Sequence, residues 1–127
     1  MKGYRINIEE KTLQNNYFRE VLYTAQHSQL VVMSLLPGED IGVEVHEIVD
    51  QFIRIEEGEG KAILDGTTST FTAGSAVVIP AGTKHNIINT SSEKKLKLYT
   101  IYSPAHHKDK TRHKTKKEAE KDTADHI

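Results

Sequence analysis

Short runs in which apolar and polar residues alternate cover the chain from residue 29 to residue 103. The runs read QLVVMSLL, IGVEVH, QFIRIEEG, GKAILDG, STFTAGSAVVIP, KHNIINT and KKLKLYTIYS. Alternation of this kind is typical of strands with one buried face, and the Gly and Pro residues between the runs indicate turns. Many short strands separated by such turns predict an all-β sandwich or barrel.

The two ends of the chain lack this alternation. Residues 1–16 are polar, and we predict an arm or an edge strand there. Residues 104–127 contain almost no large apolar side chains, so we predict a polar tail, much of it mobile, outside the 1–103 barrel domain. Within the tail, Thr115 and Glu118 fit a capping box, which predicts a short surface helix. The less favoured alternative is a lid over the barrel, formed by His106, His107 and His113.

The composition excludes several classes of function. A chain of 127 residues suits one domain with one core. A formal net charge of −1 gives no global attraction to nucleic acid or to a membrane surface, so we predict neither partner. The absence of cysteine excludes disulfides, cysteine zinc sites and thiol nucleophiles. The charged start, MKGYRINIEEK, has no apolar run typical of a secretion signal, and we predict a soluble cytoplasmic protein.

The stretch EVHEIVDQF, residues 44–52, concentrates side chains that can bind a metal ion. Glu44 and His46 project from one face of a strand, because residues two apart do so. A buried sheet face holds such a pair only if something satisfies it, and a divalent cation does this well. Gln51 follows a bend and offers an amide oxygen as a third ligand. His85 follows a Pro-Ala-Gly turn, which would hold a further ligand rigidly.

Two stretches carry a resemblance to a known family. GSAVVIPAGTKHNIIN, residues 74–89, has the form G-x5-P-x-G-x2-H-x3-N and resembles the second motif of the cupin superfamily at every defined position. GVEVHEIVDQFIRIEEGEG, residues 42–60, resembles the first cupin motif in altered form, with Glu44 at a motif His position and Gln51 at the motif Glu position. The resemblance implies a small single-domain cupin β-barrel, or jelly roll, with a divalent metal inside it.

The same resemblance implies the ligands of that metal. It assigns His46 and His85 directly, and Glu44 and Gln51 as substitutions at matching positions. A set with this many oxygen donors favours Zn, Mn, Fe(II) or Ni over copper.

Among cupins, the chain resembles the small proteins described as mannose-6-phosphate isomerase-like. This implies a sugar or sugar-acid enzyme, of isomerase or lyase type, whose metal acts as a Lewis acid on a small-molecule substrate. We predict Glu44 and Tyr102 as catalytic residues. Tyr102 should face the interior, because Lys95 and Lys97 on the same strand look solvent-facing. A non-haem iron dioxygenase and a non-catalytic binding barrel are the alternatives, since one fold hosts many activities.

A homodimer is predicted on two grounds. Small cupins commonly pair through their sheets, which the resemblance implies. Separately, Phe52 and Ile101 are apolar residues at outward positions and would be exposed on an isolated barrel.

Overall fold

Two antiparallel sheets form the fold in the computed structural model, which describes residues 2–123 and Asp125. The strands are β1 (Arg19–Thr24), β2 (Gln29–Leu35), β3 (Asp50–Glu57), β4 (Glu59–Leu64), β5 (Thr67–Thr72), β6 (Ala76–Ile79), β7 (His85–Asn89), β8 (Leu96–Ser103) and β9 (Arg112–His113). Among the described residues there are two helices, α1 (Ile8–Gln14) and α2 (Lys116–Lys121). One sheet has the order β6-β3-β8-β2-β1-β9 and the other β5-β4-β7. The predicted all-β jelly roll with a short C-terminal helix is confirmed.

The core lies on the inward faces of the strands. On β8 every second residue from Leu96 to Tyr102 is buried, as the alternation of this strand predicts. Ile53 and Ile55 on the paired strand β3 are both 0% exposed. Burying one such aliphatic side chain contributes about 1.5–3 kcal/mol. This packing fixes which positions of each strand face inward, and the candidate site uses the same positions.

Helix α1 replaces the arm or edge strand predicted for the polar N-terminus. Asn7 caps it, since the Asn7 Oδ1 accepts a hydrogen bond from the Glu10 backbone N–H at 3.0 Å. The Asn-x-x-Glu spacing is the sequence signal that the prediction missed. The chain that follows the helix covers Lys97 of β8, whose amine donates to Asn16 Oδ1 at 2.9 Å. Lys97 is therefore only 5% exposed, and the prediction that it faces solvent is wrong.

The connection from β2 to β3 is not the regular strand that IGVEVH predicts. It contacts β7 through isolated bridges, one of which pairs Glu44 with His85. Before that bridge, Gly42 has a φ of +114°, a conformation that glycine adopts at low cost. The Gly42 N–H donates to the Asn86 side-chain oxygen at 2.9 Å instead of to a strand partner. The connection therefore follows β7 closely without forming a continuous ladder.

The C-terminal segment, residues 104–123 and Asp125, docks onto the barrel, so the predicted mobile tail is wrong. Its strand β9 pairs with β1. Helix α2 begins where the capping box predicts, with the Thr115 Oγ1 accepting from the Glu118 N–H at 3.2 Å. His107 is 0% exposed. The composition misled because polar side chains can be buried when each finds a hydrogen-bond partner. Neither helix of the described chain has the length or the apolar character of a membrane span.

Candidate metal centre

Glu44, His46 and His106 converge in space. One ligand atom from each lies within 4.8 Å of the other two. The Glu44 Oε2 is 3.7 Å from His46 Nε2 and 4.0 Å from His106 Nε2. The two imidazole centroids are 4.0 Å apart. We call these three residues the ligand cluster. Two of them were predicted from the sequence as metal ligands, and His106 was not.

Backbone hydrogen bonds hold Glu44 and His46, the two predicted members of the ligand cluster. Glu44 and His85 exchange two backbone hydrogen bonds of 2.9 Å, and the His46 carbonyl accepts from the Gly82 N–H at 2.8 Å. The alternate residue Val43 is 62% exposed, whereas His46 is 7% exposed. The period-two spacing therefore predicted correctly that His46 points inward and Val43 outward, even though the segment is not a regular strand.

Gln51 has one satisfied and one unsatisfied polar atom. Its Nε2 donates to Thr100 Oγ1 at 3.0 Å, while its buried Oε1 has no hydrogen-bond partner among residues 2–123 and Asp125. In the β3–β8 register Gln51 pairs with Tyr102, whose ring contacts His46. An unsatisfied buried acceptor costs about 1–3 kcal/mol, and metal ligation would satisfy it. The donors present therefore fit a divalent cation.

His85 lies beside the ligand cluster rather than in it. Its ring centroid is 5.1 Å from that of His46, and the residue is 5% exposed. Its Nδ1 is 2.9 Å from the Thr83 carbonyl oxygen, which places the proton on Nδ1 and leaves the lone pair on Nε2. That tautomer suits metal ligation through Nε2. The role of His85 as a ligand stays a prediction.

The C-terminal segment positions His106 through Gln29 of β2. The Gln29 Oε1 accepts from the backbone N–H of His106 at 3.2 Å and of His107 at 3.0 Å. Its Nε2 donates to the His107 carbonyl at 2.7 Å. The side-chain amide of Gln29 thus supplies the backbone hydrogen bonds that a neighbouring strand supplies elsewhere in the sheet. The sequence showed the His-His pair after the last long strand, but no local pattern told which barrel residue would hold it.

Tyr102 lies against the ligand cluster, and its hydroxyl has a partner. Its ring centroid is 6.1 Å from that of His46 and 5.5 Å from that of His106. The Tyr102 hydroxyl oxygen is 3.2 Å from His107 Nε2, and His107 Nδ1 is 2.7 Å from Asp125 Oδ2. Burial raises the pKa of Tyr102 above its ordinary value. The phenol is therefore neutral near pH 7, and its catalytic role stays a prediction.

Residues 31–102 match the family model described as a cupin domain. The chain belongs to the cupin family. Uncharacterized protein L612 of Acanthamoeba polyphaga mimivirus is 52% identical over 107 residues, which are 82% of this chain and 67% of that protein. Uncharacterized protein YrkC of Bacillus subtilis is 47% identical over 125 residues, which are 93% of this chain and 66% of that protein. This cupin thus spans about two thirds of the length of both relatives.

A solved structure is similar along nearly the whole of this cupin. BH2720 from Bacillus halodurans is 41% identical and has a TM-score of 0.91. The similarity covers 94% of each of the two chains. These comparisons establish the cupin family and fold, and not the mannose-6-phosphate isomerase-like group. The family match contains the positions predicted as ligands, namely Glu44, His46, Gln51 and His85, but ends before His106. The ligand cluster is therefore completed by a segment beyond the matched domain.

Proposed function

We propose that this cupin is a metal-dependent enzyme acting on a small oxygen-rich molecule, of sugar-acid lyase or isomerase type. The convergence of Glu44, His46 and His106 carries the proposal. The buried Gln51 Oε1 supports it independently, because this oxygen can ligate a metal and accepts no hydrogen bond from the described chain. The mannose-6-phosphate isomerase-like assignment is a finer prediction that rests on sequence resemblance alone.

The ligand cluster would hold one divalent ion with help from its neighbours. Glu44 supplies a carboxylate oxygen, and His46 and His106 supply imidazole nitrogens. Gln51 Oε1 and His85 Nε2 are the proposed further donors. This mixture of nitrogen and oxygen suits Mn, Fe, Ni or Zn. When bound, such an ion supplies Lewis acidity toward a carbonyl or hydroxyl oxygen.

Glu44 and Tyr102 are the residues we propose for proton handling. The Glu44 side chain is 27% exposed, against 6% for His46 and 14% for His106, so it is the member of the ligand cluster most open to a substrate. Tyr102 is neutral, since burial raises its pKa, and a neutral phenol can donate a hydrogen bond to a substrate oxygen. His107 contacts that hydroxyl from behind and restricts its direction.

Metal binding tests the proposal directly. Elemental analysis of the purified protein, followed by titration calorimetry with Mn²⁺, Ni²⁺ and Zn²⁺, should reveal one tight site. His46→Ala and His106→Ala should each weaken that site by more than the roughly 10–100-fold that loss of a mere supporting group costs. His27→Ala is the matched control, because His27 is an exposed histidine in the turn between β1 and β2.

Two other outcomes would redirect the assignment. Wild-type protein that binds none of these ions would contradict the enzyme proposal and favour a non-catalytic binding barrel. Iron in the purified protein, with oxygen uptake in the presence of a substrate, would favour the dioxygenase.

We also propose a cytoplasmic homodimer that pairs through the outer face of the six-stranded sheet. Across β6, β3, β8 and β2, the registers align one row of apolar residues, Val78, Phe52, Ile101 and Leu30. Val78 is 62% exposed, while the other three are half-buried. A row of this kind suits face-to-face pairing of two sheets. The cytoplasmic location rests on the sequence alone.

A further inference from the structure

A small cavity opens beside the ligand cluster, under helix α2. It has a volume of about 150 Å³, and Glu44 forms part of its wall. Phe18, Ile41 and Ala119 contribute apolar surface to it, Arg19 and Lys116 contribute cations, and Glu120 contributes a second carboxylate. The cavity therefore joins the carboxylate of Glu44 to a buried positive charge, within walls that are partly apolar and partly charged.

Arg19 is buried with less pairing than a guanidinium normally has. The residue is 5% exposed, and its Nε has no hydrogen-bond partner within the described part of the chain. Its Nη1 is 3.9 Å from Asp125 Oδ2, which is beyond hydrogen-bond distance. Its guanidinium also lies over the Phe18 ring at 5.2 Å. Buried charges are normally paired and hydrogen-bonded, so Arg19 retains capacity for an anion.

The nearby carboxylate of Asp125 is already committed to other groups. Its Oδ2 is 2.7 Å from His107 Nδ1, and its Oδ1 accepts from the Thr111 hydroxyl at 2.9 Å. Asp125 therefore neutralises Arg19 only from a distance. Lys116, the other cation at the cavity, is paired with Asp40. Arg19 is thus the cation of this cavity that is free to bind a ligand by hydrogen bonds.

We propose that this cavity binds the carboxylate group of a small organic acid, with Arg19 as its partner. The guanidinium offers parallel N–H donors that match the two oxygens of a carboxylate. Glu44 belongs to the same cavity wall, so the other end of the acid would meet the metal held by the ligand cluster. The inference rests on the proposed function and narrows its substrate class to carboxylic acids.

The cavity volume limits the size of the acid. About 150 Å³ is the space of roughly five water molecules at about 30 Å³ each. This suits a hydroxy acid or keto acid of roughly two to four carbons, or the carboxylate end of a longer sugar acid. A single unpaired cation also suits a singly charged carboxylate better than a phosphate dianion, which disfavours a phosphorylated sugar.

Wild-type protein provides the first test. Glycolate, lactate and malonate are titrated into metal-loaded and metal-free protein by calorimetry, each against its own neutral amide. We expect at least one acid to bind and its amide to bind roughly 10- to 100-fold more weakly, because the charge-assisted hydrogen bonds are lost. Equal binding of acid and amide, or no binding of any acid, would overturn the inference.

Substitution of Arg19 provides the second test. Arg19→Gln should weaken acid binding by roughly 10- to 100-fold and leave the metal affinity at its wild-type value. Arg112→Gln is the matched control, because Arg112 is an exposed arginine on the neighbouring strand β9. Unchanged acid affinity in folded Arg19→Gln would overturn the inference. If that variant does not fold, Arg19→Lys replaces it, since lysine keeps the charge without the paired donors. Intermediate weakening then supports the inference and unchanged affinity overturns it.

The two proposals fail in different ways. Absence of metal binding in wild-type protein contradicts the proposed function. The comparison of acids with amides in metal-free protein still shows whether the cavity with Arg19 binds a carboxylate. Normal metal binding without discrimination between acid and amide contradicts only the assignment of the cavity.

Discussion

The side chain at position 51 would affect the net charge of a bound ion together with its ligands. A carboxylate at this position would bring a negative charge to the ion, whereas the amide of Gln51 brings none. Glu44 is then the one carboxylate among the proposed ligands. A divalent ion held by one carboxylate would keep more net positive charge than an ion held by two. It would therefore polarise a substrate oxygen more strongly.

Substitutions of Gln51 should move metal affinity in opposite directions. Gln51→Met removes both the unsatisfied Oε1 and the Nε2 hydrogen bond to Thr100, so the thermal stability of the metal-free protein should change little while metal affinity falls roughly tenfold or more, about 1.4 kcal/mol. Gln51→Glu should raise metal affinity and destabilise the metal-free protein, because it buries a carboxyl. Thermal unfolding with chelator and with Zn²⁺ measures both effects. Equal metal affinity in all three proteins would exclude Gln51 as a ligand.

Only part of the candidate site was predictable residue by residue. The period-two spacing put Glu44 and His46 on one side, and the cupin-like motifs pointed to Gln51 and His85. His106 joins the ligand cluster because Gln29, 77 residues earlier, binds its backbone N–H. Arg19 was missed for the same reason, since its cavity exists only when α2 packs over the barrel. Contacts between distant parts of a chain leave no periodic signal.

At the scale of elements, the C-terminal segment is held by buried polar groups. Burial by itself would raise the pKa of Asp125. The hydrogen bond with His107, the hydrogen bond from Thr111 and the charge of Arg19 outweigh it, and they hold the pKa of Asp125 well below its usual range. The ionised carboxylate therefore stabilises the docked segment, which links α2 and His106 to the barrel.

Acid should release this segment. A carboxyl whose pKa is lowered by folding stabilises the folded state above its unfolded pKa of about 3.9, and the stabilisation is lost as the pH falls below that value toward the folded pKa. Backbone amide NMR signals of the segment, followed from about pH 6 to about pH 2, should shift toward undocked values at the acid end.

Two variants separate Asp125 from general acid effects. Asp125→Asn should leave the segment less docked at every pH and remove the acid transition, because the charge is gone. Asp109→Asn, at an exposed position of the same segment, should keep the transition. An unchanged transition in Asp125→Asn would show that another group controls docking.

At the scale of the whole molecule, the alternating pattern was enough to predict the two-sheet fold. It failed where short helices cover the barrel, because α1 has only seven residues and depends on the Asn7 cap and on packing rather than on a long helical period. Covering by the chain after α1 also explains why Lys97 is buried although its strand parity points outward. The outer face that stays uncovered includes the apolar row ending at Val78.

Self-association should depend on that row. Val78→Glu places a charge in the proposed contact and should shift a dimer toward monomer in light scattering combined with size-exclusion chromatography. Val43→Glu is the matched control, since Val43 is the same residue type with the same 62% exposure outside the row. A wild-type mass equal to one chain at every concentration would contradict the homodimer.

The hydrogen bonds that the backbone N–H groups of His106 and His107 donate to Gln29 also set an order of assembly. His106 follows eight of the nine strands in the sequence of described elements. A nascent chain still on the ribosome can therefore form most of the barrel before His106 emerges, and until then it offers an ion only part of the ligand cluster. Binding of an ion by all three residues of the ligand cluster should accordingly follow docking of the C-terminal segment, and retained metal would mark molecules in which that segment has docked.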